Sequence, residues 1–270
     1  MSSNSPRSYG DDLTLAHRLA DAADAITLKR YQALDLTVTT KPDNTPVTDA
    51  DKSAEEAIRA LLHAHRPEDG IVGEEFGNEG LEKDRYWVID PIDGTKNFLR
   101  GVPTWATLIA LIERQADGSQ KTVVSVVSAP ALFRRWHAHL GGGAYVAVNR
   151  ENHKRISVSG VAKIEDASIS YSDFIGWGER LAPFQELMAS AWRTRGIGDF
   201  WSHMLVAEGA VDVAAEPSLA VWDMAALDII VREAGGRFTN VAGVDGSLGG
   251  SGLSTNAVIH QKIVDQLNGR

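Results

Sequence analysis

Residues 86–95, YWVIDPIDGT, run an apolar strand into two carboxylates three residues apart and then into Gly-Thr. A buried strand that ends in charge has to deliver that charge to a cleft, because an unpaired carboxylate in a core is costly. Pro91 fixes a turn. That turn lets Asp90, the Ile92 carbonyl and Asp93 face one point. Gly94 and Thr95 then open a short helix. Its first N–H groups have no intrahelical partner, which makes them an anion site beside the two aspartates.

Three more carboxylates stand at strand ends or helix starts: Asp51 in TPVTDAD, Glu74 in GEEFG and Asp223 in WDMAALD. Converging carboxylates repel one another and need protons or cations to coexist. Oxygen ligands without His or Cys select hard cations such as Mg²⁺. Each residue also has a local reading. Thr48-x-x-Asp51 resembles a capping box, Glu74-Glu75 suits an exposed turn, and Asp223 suits the dipole of a first helical turn. The combination of all five in one chain, with the DGT turn among them, favours a metal-dependent phosphate site. The chain carries 27 basic and 36 acidic side chains, a net charge of −9. That excludes a nucleic-acid face and makes a small anion hard to bind without a metal between. Cysteine is absent, which removes disulfides, thiolate catalysis and zinc–thiolate sites. No apolar run approaches the ~20 residues of a membrane span, and MSSNSPRSYG lacks the apolar region of a signal peptide. A cytoplasmic protein with a frayed N-terminal tail is expected.

Apolar spacing predicts helices over 11–30 and from Thr48 to Pro67, with the turn-rich KPDNTPVTDAD as a loop between them. Ile71-Val72 and Tyr86–Asp90 read as strands. TLIALIE and TVVSVVSAP flank Asp117-Gly118 as a hairpin, and 136–140 and 144–149 flank Gly141–Gly143 as another. Beyond about 160, helices are expected over 183–193, 200–208 and 222–234, the last stopped by Gly235-Gly236. The pattern predicts helices over an antiparallel sheet (about 11–155) and a smaller α/β half (about 156–265), in one phosphatase domain over 1–270.

GEE, WVIDPIDGTKNF and WDMAALDIIVREAGG resemble the signatures of the inositol monophosphatase family, Mg²⁺-dependent and lithium-sensitive phosphatases, over about residues 12–265. The resemblance implies an α+β fold, a layered αβαβα sandwich, usually a homodimer. It implies Glu74, Asp90, the Ile92 carbonyl, Asp93 and Asp223 as ligands to two Mg²⁺ ions. Thr95 and Asp51 would handle the attacking water, with Asp51 beside a third, looser ion. Within the family the chain is most similar to the actinobacterial histidinol-phosphate phosphatases. KPDNTPVTDAD, NFLRGVPTWATLIAL, SAPALFRRWHA, RGIGDFWSHMLVAEGAVDVAAEP and STNAVIH carry this similarity, and Lys96 after DGT fits it. The expected reaction is hydrolysis of a small phosphorylated metabolite, L-histidinol phosphate. The alternatives are inositol-1-phosphate, another sugar or nucleotide phosphate, or a phosphate sensor without catalysis. Selecting a substrate that carries an ammonium calls for carboxylates outside the metal set. Glu216, seven residues before Asp223, is where the family places a substrate contact. Asp199 in GIGDF is the second candidate, with a helix N-cap as its local reading. Asp93, Gly94, Thr95, Lys96, Arg195 and Asp223 complete the expected substrate set. Arg134-Arg135 reads as a solvated strand edge. His137 and His139 share one strand face, with no carboxylate partner evident in the sequence. Trp87, Trp105, Trp136 and Trp222 read as core.

Overall fold

The structure, a computed structural model, describes residues 8–42 and 45–270. Most of the N-terminal tail, and Asp43-Asn44 of the expected loop, lie outside the described residues. In chain order the elements are α1 (Tyr9–Arg30), β1 (Val38–Thr40), β2 (Pro46–Thr48), α2 (Asp49–His65), β3 (Gly70–Gly73), β4 (Gly77–Glu79), β5 (Arg85–Asp93), α3 (Thr95–Leu99), β6 (Ala106–Arg114), β7 (Gln120–Ala129), β8 (Arg134–His139), β9 (Gly143–Val148) and β10 (Glu151–Arg155). The second half continues with β11 (Ser168–Tyr171), α4 (Leu181–Ser190), β12 (Arg193–Gly196), α5 (Asp199–Ala207), β13 (Val213–Glu216), α6 (Val221–Glu233), β14 (Arg237–Thr239), β15 (Gly252–Thr255) and α7 (His260–Leu267).

Five layers result. An eight-stranded sheet runs β10-β9-β8-β7-β6-β5-β3-β4, and a five-stranded sheet runs β12-β11-β13-β15-β14. Strand alternation decides what each face of the first sheet meets. Trp87, Ile89, Ile109 and Leu111 pack under Leu15, Leu19, Ile58 and Leu62 of α1 and α2. Their neighbours Tyr86, Val88, Leu108 and Ala110 face Phe200 and Met204 of α5 and Met224–Val231 of α6. The second sheet turns Ile169, Val213, Ala215 and Leu253 toward Phe184 and Leu187 of α4 and Ile263 and Leu267 of α7. This is the expected α+β layered fold, helices–sheet–helices–sheet–helices.

Several local expectations change. The first sheet is not wholly antiparallel, since β3 lies parallel to β5. The KPDNTPVTDAD loop contains half of a small hairpin, with β1 paired to β2. The helix expected over 183–193 ends at Ser190, because Arg193–Gly196 leave it to pair with β11 as an edge strand. Arg135 is no solvated edge residue: it is 5% exposed and ion-paired to Asp21 and Asp24 of α1.

Candidate active site

β5 runs antiparallel to β6 until Asp90, opposite Leu108, and then slips, so that Asp93 stands opposite Ala106. Three residues on one strand match two on the other. This bulge sits at Pro91-Ile92, where proline cannot donate to the ladder. Without it, strand alternation would send Asp90 and Asp93 to opposite faces. The bulge is tied down from two sides: the Ile92 N–H donates to Asp90 Oδ1 at 3.0 Å, and Thr107 Oγ1 donates to the Pro91 carbonyl at 2.8 Å. Asp90 lies on the face that α6 covers, and the first turn of α6 carries Asp223. Asp223 Oδ2 accepts the Ala220 N–H at 2.7 Å, so its helix-start role and its place in the cluster coexist. Carboxylate oxygens of Asp90, Asp93 and Asp223 lie within 4.8 Å of one another. The Phe200 N–H, at the start of α5, donates to Asp93 Oδ2 at 2.7 Å.

Glu74 follows β3, the parallel neighbour of β5, so both strands end on the same side. Its turn is held by buried Glu55, which accepts the N–H groups of Glu75 (2.8 Å) and Phe76 (3.3 Å). Glu55 stands so close beneath Gly73 that a Cβ there would meet its carboxylate at 1.9 Å. Gly94 is equally constrained, with φ of +82° and the Thr104 carbonyl 2.9 Å from any Cβ. α3 begins beyond it at Thr95. Asp51 does form the capping box of α2: its Oδ2 accepts the Thr48 N–H at 2.8 Å and the Thr48 hydroxyl at 2.5 Å. Its Oδ1 remains for Thr95 Oγ1, which stands 3.4 Å away and 3.0 Å from the Ile92 carbonyl.

Burial is the first cause that raises the carboxyls of this cluster, and mutual repulsion adds to it. Asp90 is held well above the carboxylate range by burial and then by Glu74, Asp93 and Asp223. Asp93 is raised by burial and then by Asp199 and Asp223. Asp223 is pushed up to about 7 and Asp51 to about 6, each chiefly by burial. A group that resists ionisation for want of positive charge is suited to a hard cation with oxygen ligands. A cation besides the expected Lys96 reaches the rim: Lys41 Nζ lies 2.7 Å from both Glu74 and Glu75. The motif spacing alone did not reveal it, because Lys41 precedes β2 in the loop.

The carboxylates open onto two adjoining cavities of about 520 and 420 Å³ that share Lys96, Asp173, Asp199, Ser218, Leu219 and Asp223. The larger adds Glu74, Gly94, Thr95 and Asn97; the smaller leads from Asp93 to Ser172, His203 and Glu216. Glu216 ends β13 and accepts the Ser172 hydroxyl; burial pushes its carboxyl up to about 7. Asp199 is not the N-cap, a place taken by Gly198. Its Oδ2 accepts Asn97 Nδ2 at 2.8 Å, and burial raises it to about 6 against the pull of Lys96. Arg195 does not join them. It is exposed on edge strand β12, donates to the Thr194 carbonyl at 2.7 Å and lines neither cavity. The turn at Gly198 brings Asp199 in and leaves Arg195 behind. Asn97, Ser172, Asp173 and His203 are cavity residues outside the expected site set. Ser172-Asp173 follow β11 directly, and a parallel strand's carboxyl end is the signal that finds them.

The model of the inositol monophosphatase family matches residues 11–268. A histidinol-phosphatase of Mycobacterium tuberculosis is 54% identical over 263 residues, 96% of this chain and 98% of that protein. One from Streptomyces coelicolor is also 54% identical, over 97% of this chain and 98% of its own. The Thermotoga maritima IMPase superposes with a TM-score of 0.84 at 29% identity, covering 96% of this chain and 97% of its own. Motifs, layered fold and carboxylate cluster agree with these matches, and the chain belongs to the inositol monophosphatase family.

Proposed function

We propose that this chain hydrolyses L-histidinol phosphate to L-histidinol and phosphate with Mg²⁺ as cofactor. The observation that carries the reading is the joining of a carboxylate cluster suited to metal with a second acidic wall of Asp173, Asp199 and Glu216. A leaving group bearing an ammonium and an imidazole complements such a wall; a neutral polyol does not. The 54% identity to two histidinol-phosphatases supports the same choice.

Glu74, Asp90, the Ile92 carbonyl, Asp93 and Asp223 would hold two ions, with a third beside Asp51. When bound, Mg²⁺ offsets phosphate charge and lowers the pKa of a coordinated water. Thr95 and Asp51 would orient the attacking water, and Asp51 would accept its proton. The free N–H groups at the start of α3 face the phosphate oxygens. Asp199 and Glu216 hold the leaving group, so that water attacks phosphorus in line without a covalent phosphoenzyme. The same reading takes 1–270 as one phosphatase domain in a cytoplasmic homodimer. Among the described residues no helix is long and apolar enough to cross a membrane.

Phosphate release from histidinol phosphate, inositol-1-phosphate and β-glycerophosphate, with and without Mg²⁺, tests the proposal. Histidinol phosphate should have the highest kcat/KM. A preference for inositol-1-phosphate would replace the substrate, and no turnover of any ester would leave a phosphate sensor.

A further inference from the structure

Ser172 follows β11, Asp199 opens α5 and Glu216 ends β13, so three elements of the second half bring these side chains to one cavity. One hydroxyl joins them. Ser172 Oγ accepts the Asp199 N–H at 3.2 Å and donates its own proton to Glu216 Oε1. A hydroxyl has a single proton to give, and accepting one bond while donating another strengthens both.

The accepted bond holds an unusual backbone. Asp199 has φ of +50°, the left-handed region that a residue with a Cβ seldom takes, directly after Gly198 at +81°. Gly198 leaves no room for a side chain, because a Cβ there would meet Ser172 Oγ at 2.8 Å. The Gly198 N–H donates to Ser202 Oγ at 3.0 Å, and Ser202 Oγ lies 2.7 Å from Ser170 Oγ on β11. Serines at 170 and 172 thus fasten the turn to the end of β11, and the turn carries the Asp199 carboxylate to Asn97 and the cavity.

We propose that Ser172 is a positioning residue that joins Asp199 and Glu216 into one preformed clamp for a primary ammonium on the alcohol that is released. The inference rests on the substrate reading above and names what holds its two recognition carboxylates in register. An ammonium has three donors, enough to meet both carboxylates at once. Their mutual repulsion gives an entering cation more to gain than either group would alone. Burial lifts the Glu216 carboxyl to about 7; the Ser172 hydroxyl and main chain pull it back toward ionisation, and Asp199 and Asp173 push it up again. Lys96 of α3, Asp93 of β5 and Asp223 of α6 also face this cavity, and Lys96 favours the ionised form of Asp199. His203 of α5 is neutral there, held down to about 4 by burial. Losing the Ser172 hydroxyl should therefore raise Glu216 further and leave less of it ionised at pH 7.

The test uses the full chain saturated with Mg²⁺. Ser172 is exposed, so alanine opens no core void and threonine has room for its methyl. Ser172→Ala should cut kcat/KM for histidinol phosphate, relative to that for β-glycerophosphate, at least ~5-fold at pH 7. The loss should be smaller at pH 8.5, where Glu216 ionises without help. Ser172→Thr keeps a hydroxyl and should restore both values. In protein labelled with ¹³C at glutamate Cδ, the resonance that Glu216→Gln removes should titrate about one pH unit higher in Ser172→Ala than in the wild type or Ser172→Thr. An unmoved resonance, or equal losses on both esters at both pH values, overturns the role of Ser172. A wild type that does not prefer histidinol phosphate to β-glycerophosphate overturns the substrate reading and the ammonium with it, whatever the resonance does.

Discussion

Glu216→Gln removes a charge and keeps the shape. Glu216 is 7% exposed and ends β13 in the cavity that adjoins the one lined by Glu74. Its hydrogen bonds come from the neutral Ser172, so an arriving ammonium would be the cation it lacks. A charge-assisted hydrogen bond of that kind is worth roughly 1.5–3 kcal/mol. The variant should therefore lose about 10–100-fold in kcat/KM for histidinol phosphate. β-Glycerophosphate, with no cation to offer, should be spared, and Mg²⁺ affinity should be unchanged. Burial raises this carboxyl to about 7, so it is mostly ionised at pH 8 and mostly protonated at pH 5.5. A protonated Glu216 resembles glutamine. The contrast between wild type and variant, taken as the ratio of the two substrates, should therefore be largest at pH 8 and shrink toward pH 5.5. The assay is steady-state phosphate release on both esters at the two pH values. Equal losses on both substrates would show that Glu216 supports the fold or the chemistry instead, and a loss independent of pH would refute the charge argument.

EDTA should abolish activity and Mg²⁺ restore it, and Asp93→Asn should lower kcat at least ~100-fold; full turnover in EDTA contradicts the metal assignment. Raised carboxyls such as Asp51 (about 6) and Asp223 (about 7) hold protons in the folded chain that the unfolded chain releases. Stability without metal should thus fall as pH rises from about 4 to 7. The gain in Tm on adding Mg²⁺ should accordingly grow from pH 5 to pH 8, and an equal gain at both would disprove the linkage. LiCl should slow turnover more than NaCl at equal ionic strength, as the family resemblance implies, and matching curves would reject this. Asp12, fully buried between Arg66 and Arg85, should cost about 3 kcal/mol in urea unfolding when changed to alanine, since Arg66 loses its carboxylate and Arg85 keeps only Glu113.

The elements that the sequence shows most plainly are those whose burial follows one period. α1, α2 and α6 carry apolar stripes, and the hairpins at Asp117-Gly118 and Gly141–Gly143 have turn residues between β-rich runs. β10 is polar at every position and fully exposed, so no alternation marks it; only pairing with β9 makes it a strand. α7 carries its apolar residues within eight positions, too few for a clear period. The ligand candidates Asp90, Asp93 and Asp223 were legible because carboxylates at element ends are conspicuous. Lys41, Ser172 and His203 were not, since a lysine in a loop or a serine after a strand has many ordinary uses. Arg195 shows the converse, a residue near in sequence to Asp199 that edge-strand pairing holds apart in space.

The two acidic walls draw on different sheets. Asp90 and Asp93 come from the first sheet and Asp223 from the helix layer against it, whereas Glu216 and Ser172 end strands of the second sheet. Under the proposed assignment, bond breaking rests mainly on the first sheet and α6, and molecular recognition mainly on strand ends of the second sheet, with the α5–α6 layer packed between them. Such a split lets inheritance act on them independently. Drift at the ends of β11 and β13 can retune which alcohol is released while the hydrolytic machinery stays untouched, and a lineage could change its diet of phosphate esters without reinventing how to cut them.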